Sequence, residues 1–117
     1  AMMTALNLLR QGAKVTVFFG SRGVNAIHKG KVGALQCMPD MPEMGAAVMK
    51  RMDELDLPLV EDLFFMFIAE GGAVLACPLN IPLFGMSERD LIDGAKIADP
   101  AHYYKDVVIP ADMNLSF

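Results

Sequence analysis

Cys77 is the residue of this sequence that is best placed to act as a nucleophile. It ends a short apolar run, Ala73 to Ala76, which follows a double glycine and precedes Pro78. Such a run, bounded by turn residues, is typical of a strand buried in a parallel sheet. Cys77 would then lie at the carboxyl end of the strand, the edge where open α/β sheets bind their ligands. The alternative is that Cys77 is a small buried apolar side chain, as many free cysteines are.

A turn after another predicted strand offers a second candidate site. Gly20-Ser21-Arg22-Gly23 follows the β-branched and aromatic run from Val15 to Phe19 and precedes a predicted helix. Backbone N–H groups at such a turn, together with Ser21 and Arg22, could bind an anion. No complete phosphate-loop motif is present. A tight strand-to-helix connection that needs glycine for its backbone angles is therefore the simpler explanation.

The other chemically active side chains lack obvious partners in the sequence. Cys37 lies in a methionine-rich loop predicted from Lys31 to Glu43, without a helix start or a basic group in register, and it ranks below Cys77. His28 and His102 could exchange protons, but structural roles explain them as well. Because no cysteines or histidines show metal-ligand spacing, the sequence predicts no metal site. It also contains no dinucleotide fingerprint, and we expect no cofactor.

Composition limits the class of protein. At 117 residues the chain is expected to form a single domain over residues 1–117. Hydrophobic residues make up 54%, yet the longest uncharged apolar run, Leu63 to Ala69, is too short for a membrane span. The net charge of −4 and the lack of a basic cluster argue against a nucleic-acid partner. Two cysteines in unlike surroundings and no visible signal peptide favour the reducing cytoplasm.

The elements that must position these residues alternate between helices and apolar strands. Helices are predicted over Met2 to Leu9, Val24 to Gly30, Ala46 to Leu55, Pro58 to Gly71, Leu79 to Gly85 (one turn), Ser87 to Gly94 and Pro100 to Val107. Strands are predicted over Val15 to Phe19, Ala73 to Ala76 and Asp112 to Phe117, with Val107 to Ile109 as the alternative for the last. This alternation predicts a three-layer α/β/α fold with a mostly parallel sheet of about four to five strands.

The segment Leu63 to Ile68 is apolar on nearly all sides of its predicted helix. A surface helix has a polar side, so this one needs cover on more than one side. Together with the methionine-rich loop, it predicts that the chain forms a homo-oligomer.

Several segments of the sequence resemble the DsrE/DsrF-like (DsrEFH-type) sulfur-relay family. The glycine-led strand into Ala76-Cys77, the segment Leu83-Phe84-Gly85-Met86 and the segment Asp90-Leu91-Ile92-Asp93-Gly94 carry the resemblance, and Val17-Phe18-Phe19 followed by Gly23-Val24 is similar to the family's second strand and the turn after it. The resemblance covers most of the chain from Ala5 onward.

This resemblance implies a small cytoplasmic α/β protein that assembles with itself or with related chains. In members with a cysteine at the position of Cys77, that cysteine carries sulfane sulfur as a persulfide. The implied function is a sulfur carrier or sulfurtransferase whose partners are sulfur-donor and sulfur-acceptor proteins. The alternative is a non-catalytic oligomeric binding or assembly module of the same fold, in which Cys77 is inert.

Two departures from the family pattern affect these expectations. The family normally has a strand before the first helix, and this sequence shows none, so we expect either an upstream segment or a sheet that closes up around the gap. Pro78 directly after the cysteine removes one backbone N–H that could stabilise a thiolate. Stabilisation would then come from the amides of Leu79 or Asn80, or from a basic side chain.

Overall fold

Three short strands form a parallel sheet in the computed structural model, which describes residues 1–35 and 37–117. Strand β1 spans Thr16–Phe19, β2 spans Ala73–Ala76 and β3 spans Ala95–Ile97. The strand order is β1-β2-β3, so β2 lies in the centre. Strand β1 pairs with β2 directly over four residues, from Thr16 opposite Ala73 to Phe19 opposite Ala76, and no gap separates them.

Helical segments of very different length connect and cover these strands. The α-helices are α1 (Met2–Arg10), α2 (Pro42–Glu54), α3 (Val60–Ala69), α4 (Asn80–Leu83) and α5 (Pro100–His102), and α5 continues into a π-helical turn at Tyr103–Val108. Short 3₁₀ helices occupy Ser21–Ile27, Val32–Ala34 and Glu88–Asp90. None of the helices in the described part of the chain is long and apolar enough to cross a membrane.

One face of the sheet forms the core together with α1 and α3. Residues paired across parallel strands point to the same side, so Val74 and Ala76 share this face with Phe19. All atoms of the Phe67 side chain on α3 are buried here, and the ring of Phe64 lies 5.6 Å from that of Phe19. Helices α1 and α3 pack side by side. An ion pair of 2.6 Å between Arg10 and Glu70 joins their carboxyl ends.

The opposite face of the sheet has less cover. It carries Phe18 of β1, Leu75 of β2 and Lys96 of β3, which are opposite one another in the register. The ring of Tyr103, in the π-helical turn, stacks on Phe18 at 4.3 Å with an interplanar angle of 20°. Leu75 is nevertheless only partly buried and Lys96 is exposed. The C-terminal helical segment therefore covers this face near β1 and leaves β3 open to solvent.

The α/β class and the parallel sheet predicted from the sequence are confirmed, but the number of strands is not. The described residues form three strands instead of four to five. The segment Asp112–Phe117, predicted as the last strand, is irregular and exposed, and Val107 lies in the π-helical turn. The third strand is Ala95–Ile97, a segment that was not predicted to be a strand. Its strand character comes from pairing with β2 and not from a local apolar run.

Several of the predicted helices also need correction. The helix predicted from Val24 is a 3₁₀ helix that starts earlier, at Ser21. The predicted loop from Lys31 to Glu43 ends sooner than expected because α2 begins at Pro42; Gln36, within this loop, lies outside the described residues. The helix predicted over Ser87 to Gly94 is reduced to a 3₁₀ turn at Glu88–Asp90, and most of the helix predicted over Pro100 to Val107 is π-helical. The remaining predicted helices are present near their expected positions, and the segment that follows Leu79 contains the short helix α4.

The C-terminal helical segment contains an ion pair that makes its stability depend on pH. Nδ1 of His102 lies 2.7 Å from Oδ2 of Asp106. The hydrogen bond to Asp106, and the negative charges of Asp106 and Asp99, raise the pKa of His102 above its ordinary value of 6.5. The folded chain therefore favours the protonated imidazole. This contribution to stability is complete below the unfolded-state pKa and is lost as the pH rises through the raised folded-state pKa.

We expect the stability difference between the wild type and His102→Gln to shrink as the pH rises from below to above this range. Urea unfolding at a series of pH values measures it, and the effect will be modest because both side chains are exposed. In Asp106→Asn, which keeps the shape of the side chain but removes its charge, the pH dependence attributed to His102 should weaken. A difference that grows with rising pH would contradict this account.

Candidate functional site

The carboxyl edge of the sheet brings together the turns that follow β1 and β2. The N–H of Cys77 donates a 2.8 Å hydrogen bond to the carbonyl of Phe19, which extends the pairing of the two strands by one residue. Across the same edge, Oδ1 of Asn80 accepts a 2.7 Å hydrogen bond from the N–H of Ser21. Cys77, Ser21 and Asn80 therefore belong to one connected set of backbone and side-chain contacts.

The Ser21 turn uses the amides that were expected to bind an anion. Ser21 has a φ of 47°, in the left-handed region that a serine adopts at some cost in energy, and the bond to Asn80 offsets this cost. The N–H of Gly23 donates to the carbonyl of Gly20 at 2.9 Å. Arg22 is exposed and forms no ion pair with any residue the structure describes. Arg22 thus remains the group of this turn that can meet a ligand.

The backbone of Cys77 is fixed on both sides. Its carbonyl accepts hydrogen bonds from the N–H groups of Asn80 and Ile81, each at 3.2 Å. The Asn80 amide is therefore occupied, and α4 is too short for a substantial helix dipole. Of the two amides expected to face a thiolate, that of Leu79 makes no hydrogen bond within residues 1–35 and 37–117. The thiol is free and partly exposed.

The histidines and one of the lysines have partners of their own. Nδ1 of His28 accepts a 2.9 Å hydrogen bond from the N–H of Gly30, and Nζ of Lys31 donates to Asn25 Oδ1 at 2.6 Å. His102 pairs with Asp106, a partner that the sequence reasoning missed although its i, i+4 spacing on a helix would have indicated it. These residues are held by structural contacts.

The chemistry available at Cys77 is that of a surface thiol. No group of three or more His, Cys, Asp or Glu side chains among the described residues is arranged to hold a metal ion. Two surface grooves, of about 230 and 90 Å³, are lined by residues of α3 and α2 and do not include Cys77.

Comparison with known proteins places these features in a family. Residues 35–116 match the sequence profile of the DsrE/DsrF/DrsH-like family. The matched range includes Cys77 and Asn80, and it leaves out Ser21 and Arg22. No curated protein matches the chain significantly.

Proposed function

Because the chain belongs to the DsrE/DsrF/DrsH-like family, which is associated with sulfur relay, we propose that it carries sulfane sulfur as a persulfide on Cys77. The observation that supports this function best is the position of the thiol. Cys77 is free and partly exposed, and it follows the central strand at the carboxyl edge of the sheet. Such an edge is where α/β folds place their reactive groups.

The transfer needs only thiol exchange and no outside oxidant. The Cys77 thiolate attacks the outer sulfur of a persulfide donor, a new S–S bond forms, and the donor's S–S bond breaks as the donor leaves as a thiolate. The proton lost by the Cys77 thiol goes to solvent or to the departing thiolate. In the second half of the relay, an acceptor thiolate attacks the outer sulfur and Cys77 leaves as a thiolate. A sulfurtransferase activity would consist of these two exchanges.

Ser21, Asn80 and Arg22 support this chemistry in different ways. The hydrogen bond from Ser21 to Asn80 fixes the turn after β1 against the segment after Cys77. The exposed Arg22 beside this bond supplies a positive charge for the anionic donor or persulfide. The donor and acceptor would be proteins that present their own cysteines, since Cys77 is partly exposed and lines neither of the two grooves described above. We place the protein in the cytoplasm, where free thiols persist.

Sulfur loading of cysteine variants tests the proposed function. Reduced wild-type protein is incubated with a persulfide donor and then analysed by intact mass and peptide mapping. We expect a mass increase of one sulfur atom that maps to Cys77, survives Cys37→Ser and disappears in Cys77→Ser. Cys37→Ser is the matched control, because it removes the other free, partly buried thiol of the chain.

Loading of Cys37 instead, or of neither residue in a folded protein, would overturn the proposal. Alkylation of the folded protein shows whether Cys77 is reactive or inert. A Cys77 that reacts only after unfolding is an inert structural side chain. Arg22→Gln should slow loading without changing its position, since it removes a charge and leaves the backbone unchanged.

A second candidate function, a self-associating assembly module, is favoured by the apolar side chains that the single chain leaves exposed. Phe65, in the middle of the apolar helix α3, is 74% exposed, and Leu83 of α4 is 70% exposed. Single apolar residues on a surface are common, but contiguous patches mark interaction sites. We propose a homo-oligomer in which a second copy covers the exposed side of α3 around Phe65.

Phe65→Asp is expected to weaken self-association by at least tenfold, because a carboxylate would replace a ring that the interface buries. Light scattering over a range of micromolar concentrations measures the effect. Asp53→Asn, a change at an exposed polar residue of α2, is the control and should leave the mass unchanged. A wild type that stays monomeric throughout would rule out the oligomer.

A further inference from the structure

The crevice between α2 and the segments before and after it is lined by three sulfur-containing residues, one cysteine and two methionines. It has a volume of about 90 Å³. Its walls are formed by Val32, Gly33, Leu35, Cys37, Met49, Met52, Leu59, Val60 and Glu61. One cysteine and two methionines thus line a small space whose other side chains are aliphatic, apart from the carboxylate-bearing Glu61.

One face of α2 sets the positions of all three sulfur-bearing residues. Met49 and Met52 are three residues apart and therefore lie on the same side of the helix. Gly45, one turn before Met49, is the buried residue of this helix. A Cβ atom on Gly45 would clash with the carbonyl oxygen of Cys37, so the backbone of Cys37 is held directly against the same helix. This contact holds Cys37 beside the side of α2 that carries Met49 and Met52, so that all three residues line one crevice.

The donor set has a definite chemical preference. Thiolate and thioether sulfur are soft ligands that select Cu(I) over hard cations such as Mg²⁺ or Ca²⁺. A single thiolate neutralises the charge of a monovalent ion, so the Cu(I)–thiolate unit brings no net charge to the aliphatic part of the crevice. On binding, the Cys37 S–H bond breaks, the proton goes to solvent, and the sulfur lone pair binds the metal without a change of oxidation state.

From this arrangement we propose that Cys37, Met49 and Met52 form a binding site for one Cu(I) ion. None of the three residues takes part in the proposed sulfur transfer, so the site does not depend on that function. The sequence predicted no metal site because its cysteines and histidines lack the spacing of zinc ligands. That criterion does not consider methionine, which supplies two of the three ligands here.

Copper titration of the reduced protein tests the site. The Cys77→Ser variant is used throughout, so that the second thiol does not compete for the metal. Cu(I) is supplied without oxygen, in competition with a coloured Cu(I) chelator. We expect one equivalent to be retained. Because loss of an outer-shell partner alone weakens metal sites by about 10–100-fold, Met49→Leu and Met52→Leu should each weaken binding by more than about tenfold. Adding Cys37→Ser should abolish it.

Leucine matches methionine in volume, so both methionine variants should unfold at nearly the parent temperature and report on ligation alone. The control is Met113→Leu, which changes a methionine 66% exposed in the C-terminal segment and should leave the affinity unchanged. Equal affinity in the parent and in both crevice variants would mean that a lone thiol binds the metal, and the site would be refuted. Failure to retain copper, or stronger retention of Zn²⁺ than of Cu(I), would refute it as well.

Discussion

Replacement of Phe67 by alanine is expected to lower the free energy of unfolding by about 3–5 kcal/mol. Phe67 is fully buried in the core that α3 forms with the sheet. Its ring also fills the space beside Gly72, the residue before β2, because a Cβ atom on Gly72 would overlap the ring. Truncation would remove the contacts of the ring and leave a cavity against the central strand.

Denaturant unfolding of Phe67→Ala and of a matched variant, Phe65→Ala, measures this effect. Both lie on α3, but Phe65 is 74% exposed, so its truncation should change stability by no more than about 0.5 kcal/mol in the monomer. Gly72→Ala provides a second check. It should be destabilising in the wild type and nearly neutral after Phe67→Ala, because the overlapping ring is gone. Similar losses for Phe65→Ala and Phe67→Ala would show that the core is not where the structure places it.

The second large loss of unfolding free energy is expected for Gly94→Ala. Gly94 precedes β3 with a φ of +88°, and a Cβ atom there would lie 2.6 Å from Cγ2 of Ile68 on α3. The left-handed backbone alone costs a residue with a side chain about 1–2 kcal/mol. The overlap with a branched side chain adds about 1–3 kcal/mol. The substitution should therefore displace β3 from α3 as well as strain the turn.

Gly12→Ala is the control for this variant. Gly12 has a nearly equal φ of +93° but nothing within 4 Å of a Cβ atom. Its substitution should therefore show the backbone cost without the overlap. The difference in unfolding free energy between the two alanine variants measures the Ile68 contact. In Gly94→Ala combined with Ile68→Ala, much of that difference should disappear; if it persists in full, the contact is not its cause.

Local sequence patterns predicted the elements whose stabilising residues lie within the element itself. The run Ala73–Ala76 is apolar and bounded by glycines on one side and Cys77-Pro78 on the other, so β2 and the place of the cysteine followed from it. Strand β3 was missed because it has three residues with a lysine in the middle and depends on β2 for its pairing. The alternation of Asp112–Phe117 was misleading for the opposite reason: the segment has a strand-like pattern but does not pair with the sheet, and it stays irregular and exposed.

The candidate site divides in the same way. The position of Cys77 at the end of a strand could be predicted from the residues next to it in the sequence. The bond from Ser21 to Asn80 joins residues 59 positions apart, and only the fold brings them together. The N–H groups of Ser21 and Gly23, two of the amides expected to bind an anion, donate instead to acceptors within the chain.

The lysine in the centre of β3 affects how this chain behaves at high concentration. In a three-stranded sheet, both outer strands expose unpaired N–H and C=O groups that can recruit strands from other molecules. Strand β3 is three residues long and carries the exposed Lys96 at its midpoint, two features that natural proteins use to block such recruitment. Strand β1, Thr-Val-Phe-Phe, is uncharged and longer. Pairing with strands of other molecules would therefore begin at the edge of β1. Lys96 opposes the same pairing at the edge of β3, so the sheet would be extended from one side only.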